Sequence, residues 1–116
     1  MKQMAWSSLC ITNTDNSTYY RIRFNRTAGK LLDGVRWVVL SKTADGAYII
    51  VSPINHQENG SLTVTRDPYG FAWLHITSLV TGGNLPKRLF GKRYKVKRDA
   101  KGRIYICLKE VVKDND

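Results

Sequence analysis

The stretch that decides the fold spans residues 93–108 and reads Arg93-Tyr94-Lys95-Val96-Lys97-Arg98-Asp99-Ala100-Lys101-Gly102-Arg103-Ile104-Tyr105-Ile106-Cys107-Leu108. On both sides of the central Asp99-Ala100-Lys101-Gly102, apolar residues recur at every second position. This alternation is typical of β-strands, whose successive side chains point to opposite faces of a sheet. A turn that contains Asp and Gly suits a tight connection between antiparallel strands. Residues 93–108 therefore predict a β-hairpin.

The two faces of this hairpin differ in charge. The alternation gathers apolar side chains on one face, which we expect to be buried: Ile104, Ile106 and Leu108, with Tyr94 and Val96 from the partner strand. The opposite face collects basic side chains beside Tyr105: Arg93, Lys95, Lys97, Arg103 and Lys109. Like charges that oppose one another across strands lower stability. We therefore expect an anionic partner, such as the phosphates of a nucleic acid, to compensate for them.

Other parts of the chain have the same β character. Segments rich in β-branched and aromatic residues predict strands at 18–24, 36–41, 47–51, 61–66 and 71–76, in addition to the hairpin strands at 93–98 and 103–108. Turn residues stand between them at 43–46 and 67–70. Short helices are expected at 27–32 and 86–90. The pattern predicts an all-β fold, a small barrel of β-hairpins with one or two short helices.

The length of 116 residues predicts a single domain, residues 1–116. An acidic tail at 110–116 is expected to be flexible. Residues 18–53 and 81–109 echo each other, because each contains a Lys-x-Leu-x-Gly segment (Lys30 to Gly34, Lys87 to Gly91) before Arg-aromatic and a hairpin. This similarity is explained either by an internal repeat or by the general likeness of β-hairpins to one another, and both interpretations remain open.

The positive charge is concentrated in one part of the chain. The sequence has 19 Lys and Arg against 9 Asp and Glu, a net charge of +10. Ten of the basic residues, and one acid, lie between Lys87 and Lys109. Such a cluster attracts polyanions, although a solvated face that only aids solubility is the alternative. No amphipathic helix accompanies the charge, so we expect no membrane partner.

The region from Thr81 to Ile106, which includes Gly83-Asn84-Leu85-Pro86-Lys87 and the hairpin above, resembles the AbrB/MazE/SpoVT module. That module runs strand, Pro-Lys short helix, strand, Gly turn, strand, and two units interlock as a swapped-hairpin barrel. This sequence departs from the family in its shorter Gly83-to-Pro86 run. It also has Thr27-Ala28-Gly29 in place of a proline in the first half, and extra strands at 61–76.

The resemblance implies a DNA-binding transcriptional regulator without a cofactor, with DNA favoured over RNA. It implies contacts from basic residues near the first strand of each unit, Arg21, Arg23 and Arg26 in the first half and Lys87 and Arg88 in the second. With the hairpin, the candidate nucleic-acid-binding residues are Lys87, Arg88, Lys92, Arg93, Lys95, Lys97, Arg98, Lys101, Arg103, Tyr105, Lys109, Arg21, Arg23 and Arg26. Whether the chain forms a homodimer is left open.

The mode of binding has two candidates. A two-stranded ribbon can enter the major groove of DNA. A basic sheet with an exposed aromatic ring can instead bind single strands by stacking, with Tyr105 as the stacking residue unless it is an ordinary strand tyrosine. The tryptophans Trp6, Trp37 and Trp73 are expected to anchor the core or an interface.

Two other classes of function are an enzyme and an inhibitor that binds a protein. Catalysis is not expected, because His56 and His75 have no partner in any known catalytic or metal-binding motif. A phage or mobile-element inhibitor of the anti-CRISPR kind would bind a host nucleic-acid-processing protein or its RNA complex.

Cys10 and Cys107 lack the spacing of a metal site, so we expect both to be reduced thiols. The N-terminus has no signal-peptide pattern, so we expect a cytoplasmic protein.

Overall fold

The computed structural model describes residues 4–13 and 15–112. Within them, nine strands form one antiparallel sheet in the order β5-β3-β4-β9-β8-β1-β2-β7-β6. The elements are β1 (Trp6–Asn13), β2 (Thr18–Phe24), α1 (Arg26–Lys30), β3 (Trp37–Lys42), β4 (Tyr48–Ile54), β5 (Leu62–Thr63), β6 (Thr65–Arg66), β7 (Ala72–His75), α2 (Thr77–Thr81), a 3₁₀ helix (Lys87–Leu89), β8 (Arg93–Arg98) and β9 (Ile104–Val112). The predicted all-β barrel of hairpins with short helices is confirmed.

One short extended segment nearly closes the barrel. Leu62–Thr63 pairs with β3 at one edge of the sheet, and Thr65–Arg66 pairs with β7 at the other. Between them, the amide of Val64 donates to the carbonyl of Arg36 at 2.8 Å. The segment thus pairs with part of each edge, where backbone groups would otherwise be unpaired. The segment predicted as one strand, 61–66, is thus two short strands, of which the second pairs with β7 across the turn at 67–70 and the first pairs with β3.

The barrel interior is filled by alternate side chains of the strands. Each of β1, β2, β3, β4, β7, β8 and β9 contributes inward residues, among them Leu9, Ile22, Val38, Ile49, Leu74, Tyr94 and Ile106. All five apolar residues assigned to the inner face of the hairpin are buried. The predicted inner face of the hairpin is therefore confirmed, and its polar face lies on the outside of the barrel.

The strand register changes the expected electrostatics of the hairpin. Lys95 lies opposite Cys107 and Lys97 lies opposite Tyr105, so neither lysine faces another base across β8 and β9. Lys109 falls within an irregularity of the pairing next to Tyr94 and Lys95. The expectation of like charges directly opposed across these strands was wrong. The basic residues on the outer side of the hairpin therefore lower the stability of the fold by less than directly opposed like charges would.

Two of the hairpin turns have the same hydrogen-bond pattern. The Oδ1 atom of Asp99 accepts from the amides of Lys101 and Arg103, both at 2.9 Å. Asp67 does the same with Tyr69 and Phe71 at 2.9 and 3.0 Å. In each case a glycine three residues after the Asp, Gly102 or Gly70, has positive φ. These turns are local and were predicted for that reason.

Several elements differ from the prediction. β1 and α2 were not predicted, and β9 continues to Val112, so the first three residues of the segment expected as an acidic tail, 110–112, belong to a strand. Residues 113–116 lie outside the described part of the chain. The helix expected at 27–32 is the shorter α1, and the one at 86–90 is the 3₁₀ helix. The three tryptophans are half-buried on the outer side of the sheet and do not belong to the core.

The two echoing segments end in neighbouring hairpins. The β3–β4 hairpin and the β8–β9 hairpin meet through β4 and β9, where Ile49 lies opposite Ile106. Whether they descend from one repeated unit stays a prediction.

Across the described ranges, 4–13 and 15–112, no helix has the length and apolar character needed to cross a membrane.

Candidate nucleic-acid interface

The strand β1 lies between the hairpin and β2, and so joins two groups of predicted basic residues. On one side, Trp6 and Ser8 pair with Lys95 and Arg93 of β8. On the other side, Ser8 pairs with Arg23. Arg93 and Arg23 therefore flank Ser8 from its two neighbouring strands, about 10 Å apart, which is two strand spacings. Residues 70 positions apart in the chain become part of one surface.

We call this surface the outer basic face. It is the outward side of β4, β9, β8, β1, β2 and β7, with the residue preceding β7: Tyr48, Tyr105, Lys95, Lys97, Arg93, Trp6, Ser8, Arg21, Arg23, Phe71, Trp73 and His75. Alternation places all the strand residues outward, and the strand pairings align them in rows across the sheet.

Basic and aromatic side chains are interleaved on the outer basic face. The guanidinium carbon of Arg93 lies 4.3 Å from the ring centroid of Trp6, and that of Arg23 lies 4.2 Å from the centroid of Phe71. Arg21 is 5.6 Å from Trp73. These distances are within the range of cation–π attraction. Each ring is half-buried, so the arginines form flat, positively charged platforms over the sheet.

One end of the outer basic face has a shallow pocket of about 280 Å³, lined by Tyr48, Lys97, Arg98, Asp99 and Tyr105. The two tyrosine rings meet edge to face, with centroids 5.6 Å apart. The ammonium of Lys97 lies 5.0 Å from the Tyr48 ring centroid. A hydrogen bond to Tyr48 raises the pKa of Lys97, so this lysine stays charged at neutral pH. The pocket therefore combines ring surfaces with a permanent positive charge.

The two acids next to these bases are paired within the protein. Asp99 accepts from Arg103 Nε at 2.7 Å in addition to its two backbone bonds. Burial raises its pKa, but the hydrogen bonds from Arg103 and the turn backbone outweigh this and lower it overall. The carboxylate of Glu110 lies 3.8 Å from Lys95 Nζ. The net charge of the outer basic face is positive, because more bases than acids line it.

The remaining predicted binding residues lie around this face. Lys101 is exposed in the hairpin turn, Arg98 at the end of β8 and Lys109 in the irregular part of β9. Arg103 is engaged with Asp99, and Lys92 is exposed just before β8. Arg26 begins α1, with its guanidinium carbon 5.9 Å from the Phe71 ring centroid. These positions border the face without belonging to its rows.

Lys87 and Arg88 are positioned differently. Both are exposed on the 3₁₀ helix, which precedes β8. This helix is tied to the barrel interior, because the hydroxyl of the buried Tyr94 donates to the carbonyl of Leu89 at 2.6 Å. The two bases thus lie outside the strand rows that contain Arg21 and Arg23.

The aromatic half of the face was missed by sequence reasoning, apart from Tyr105. Trp6, Phe71, Trp73 and Tyr48 are outward residues whose partners come from distant parts of the chain. The available signal was the alternation, which already assigns Trp73 and His75 to the face opposite Leu74. Trp6 gave no such signal, since its strand was not recognised.

Two further observations bear on chemistry. Among the described residues, no three His, Cys, Asp or Glu side chains come close enough together to hold a metal ion. Cys10 and Cys107 are both free thiols.

No protein-family model matches the chain, and comparison with curated proteins and with solved structures also gives no match.

Proposed function

We propose that this protein binds nucleic acid through the outer basic face. The observation that carries the proposal is the row structure of that face, in which bases from β8 and β2 lie on both sides of β1. A polyanion following the face would meet Lys97, Lys95 and Arg93, then Arg23 and Arg21. Phosphates neutralised by such side chains release counterions, which gives affinity that falls steeply as salt is added.

The biological setting is proposed from the resemblance of residues 81–106 to the AbrB-type module. On that basis the nucleic acid is DNA in preference to RNA, and the role is transcription regulation in the cytoplasm without a cofactor. Arg21 and Arg23, two of the three positions matched to the first unit, lie on the same face as the hairpin bases, which supports a joint contribution to binding.

The test compares two double variants with the same change of charge. Lys95→Glu with Lys97→Glu reverses two bases of the outer basic face. Lys30→Glu with Lys42→Glu reverses two exposed bases elsewhere, on α1 and at the end of β3. Binding of labelled DNA is measured by fluorescence anisotropy over a range of salt, and thermal unfolding verifies that each variant is folded.

We expect the first variant to lose at least about tenfold in affinity at low salt, with a salt slope smaller by about two, one for each lost phosphate contact. The control should stay close to the parent protein. Equal losses in both variants would mean that net charge alone drives binding and would refute the outer basic face as the site. If the parent protein binds no nucleic acid, the proposed function is refuted, and a host nucleic-acid enzyme becomes the first partner to test.

A further inference from the structure

The position of the basic hairpin within the sheet restricts how it can meet nucleic acid. A β-ribbon reads the major groove by inserting both of its strands into it. The edge of β8 that faces away from β9 pairs with β1, and the edge of β9 that faces away from β8 pairs with β4. The hairpin is therefore an internal part of a barrel wall. What it can offer a ligand is its outward surface, which favours contact across a face over insertion into a groove.

That outward surface carries aromatic rings at three stations. Tyr48 and Tyr105 lie at one end with Lys97, Trp6 lies in the middle with Arg93, and Trp73 with Phe71 lies at the other end. From β4 to β7 the strands extend about 24 Å, at about 4.8 Å for each spacing. The rings are thus distributed along a path that several nucleotides could follow.

Aromatic rings that lie next to cationic side chains are suited to binding unpaired nucleobases. Base stacking on an aromatic ring or on an arginine plane needs the flat face of the base, which is inaccessible inside a duplex. The phosphates that accompany an unstacked strand would meet Lys95 and Arg93 beside the Trp6 station and Arg21 beside Trp73. The same basic side chains could contact the phosphates of a duplex, but the rings would then have no accessible nucleobase to stack on.

From this arrangement we propose that the outer basic face is a track for single-stranded nucleic acid, in which bases stack at the three aromatic stations while phosphates contact the lysines and arginines beside them. The proposal rests on the proposed function and specifies its ligand as a single strand, DNA or RNA. The pocket between Tyr48 and Tyr105 accepts one base, with Lys97 and Arg98 beside it.

Tryptophan provides both the variants and the readout. The protein has three tryptophans: Trp6 and Trp73 are on the track, and Trp37 is not. Trp37 is half-buried with Arg36 4.9 Å from its ring, so its surroundings resemble those of the other two. It lies on β3, four strands from β1 in the sheet order, on a strand that is not part of the track. Trp37→Leu is therefore a matched control for Trp6→Leu and Trp73→Leu.

The probes are an oligothymidylate and an oligouridylate, each about 12 nucleotides long, and a DNA duplex of the same length. We expect the single strands to bind more tightly than the duplex and to quench the fluorescence of the Trp37→Leu protein. Trp6→Leu and Trp73→Leu should each weaken single-strand binding by about fivefold to a hundredfold. Their salt slopes should not change, because no phosphate contact is lost.

The outcomes separate this inference from the proposed function. Duplex binding that equals or exceeds single-strand binding, with no effect of Trp6→Leu or Trp73→Leu, would overturn the track while the nucleic-acid role stands. Equal losses in all three tryptophan variants would assign the effect to folding and would also overturn it. Absence of binding to every probe would overturn both. The ratio of oligothymidylate to oligouridylate affinity distinguishes DNA from RNA as the source of the strand.

Discussion

The side chain of Asn25 holds the backbone of Trp6, since its Oδ1 atom accepts a hydrogen bond from the Trp6 amide at 3.1 Å. The same oxygen caps α1 by accepting from the amide of Ala28 at 2.9 Å. The Nδ2 atom of Asn25 donates to the carbonyl of Met4 at 2.8 Å. One buried amide thus fixes the start of β1 against the end of β2, and with it the position of Trp6 beside Lys95.

We predict that Asn25→Ala lowers the free energy of unfolding by roughly 2 kcal/mol, since it removes a helix cap and leaves buried backbone groups without partners. Asn13→Ala is the control, because Asn13 is exposed and accepts a hydrogen bond from Thr18 Oγ1 at 2.9 Å. Its effect should stay within about 0.5 kcal/mol. Urea unfolding measures both, and similar values for the two variants would contradict the role of Asn25.

The contact between the two hairpins gives a second prediction. Ile106 is fully buried opposite Ile49, where β9 meets β4. Ile106→Ala should lower the free energy of unfolding by roughly 2–5 kcal/mol, because it removes buried apolar surface and leaves a cavity. Ile11→Ala, at a position that is 45% exposed, should cost less than about 1 kcal/mol. A cost at Ile106 no greater than that at Ile11 would show that the β4–β9 contact is not part of the core.

The turn acid Asp99 gives a pH dependence with a definite sign. Its pKa in the folded protein is below the ordinary value of 3.8, since the hydrogen bonds of the turn outweigh the effect of burial. The unfolded chain therefore takes up this proton at higher pH than the folded one does. The stability contributed by Asp99 is complete above the ordinary value and is lost as the pH falls through the lowered pKa of the folded state.

We expect Asp99→Asn to be less stable than the parent protein at neutral pH, with a difference that narrows as the pH falls below 3.8. Urea unfolding at a series of pH values gives this difference directly. Asp15→Asn, in the exposed β1–β2 loop, removes the same charge and should cost less at neutral pH. A difference for Asp99→Asn that is constant or widens towards acid would contradict the assignment.

The two thiols should react at different rates. Burial, followed by the interaction with Glu110, raises the pKa of Cys107, so little of the reactive thiolate forms. Cys10 is half-buried on the outer side of β1, where its sulfur lies 3.3 Å from Ser8 Oγ. In the folded protein, iodoacetamide should label Cys10 first, and in urea both residues should be labelled. Mass spectrometry of peptides shows the order, and equal labelling of Cys107 in the folded state would contradict its burial.

The sequence predicted the local parts of the fold well. The strands at 18–24 and 93–98 and the turns at Asp67 and Asp99 depend on alternation and on Asp and Gly positions that are close in the chain. β1 was missed because the alternation in Trp6-Ser7-Ser8-Leu9 is irregular. Its inward residue Ser7 is polar yet fully buried, and its outward residue Trp6 is aromatic.

By itself, the sequence determined the strands of the hairpins, their turns and the concentration of positive charge between Lys87 and Lys109. Only the tertiary structure decided that β1 lies between β8 and β2, and so that Arg23 and Trp73 share a surface with Arg93 and Trp6. The physical reason is that strand and turn preferences act between near neighbours. The choice of which strands pair depends instead on packing and hydrogen bonds between distant segments, which no local pattern records.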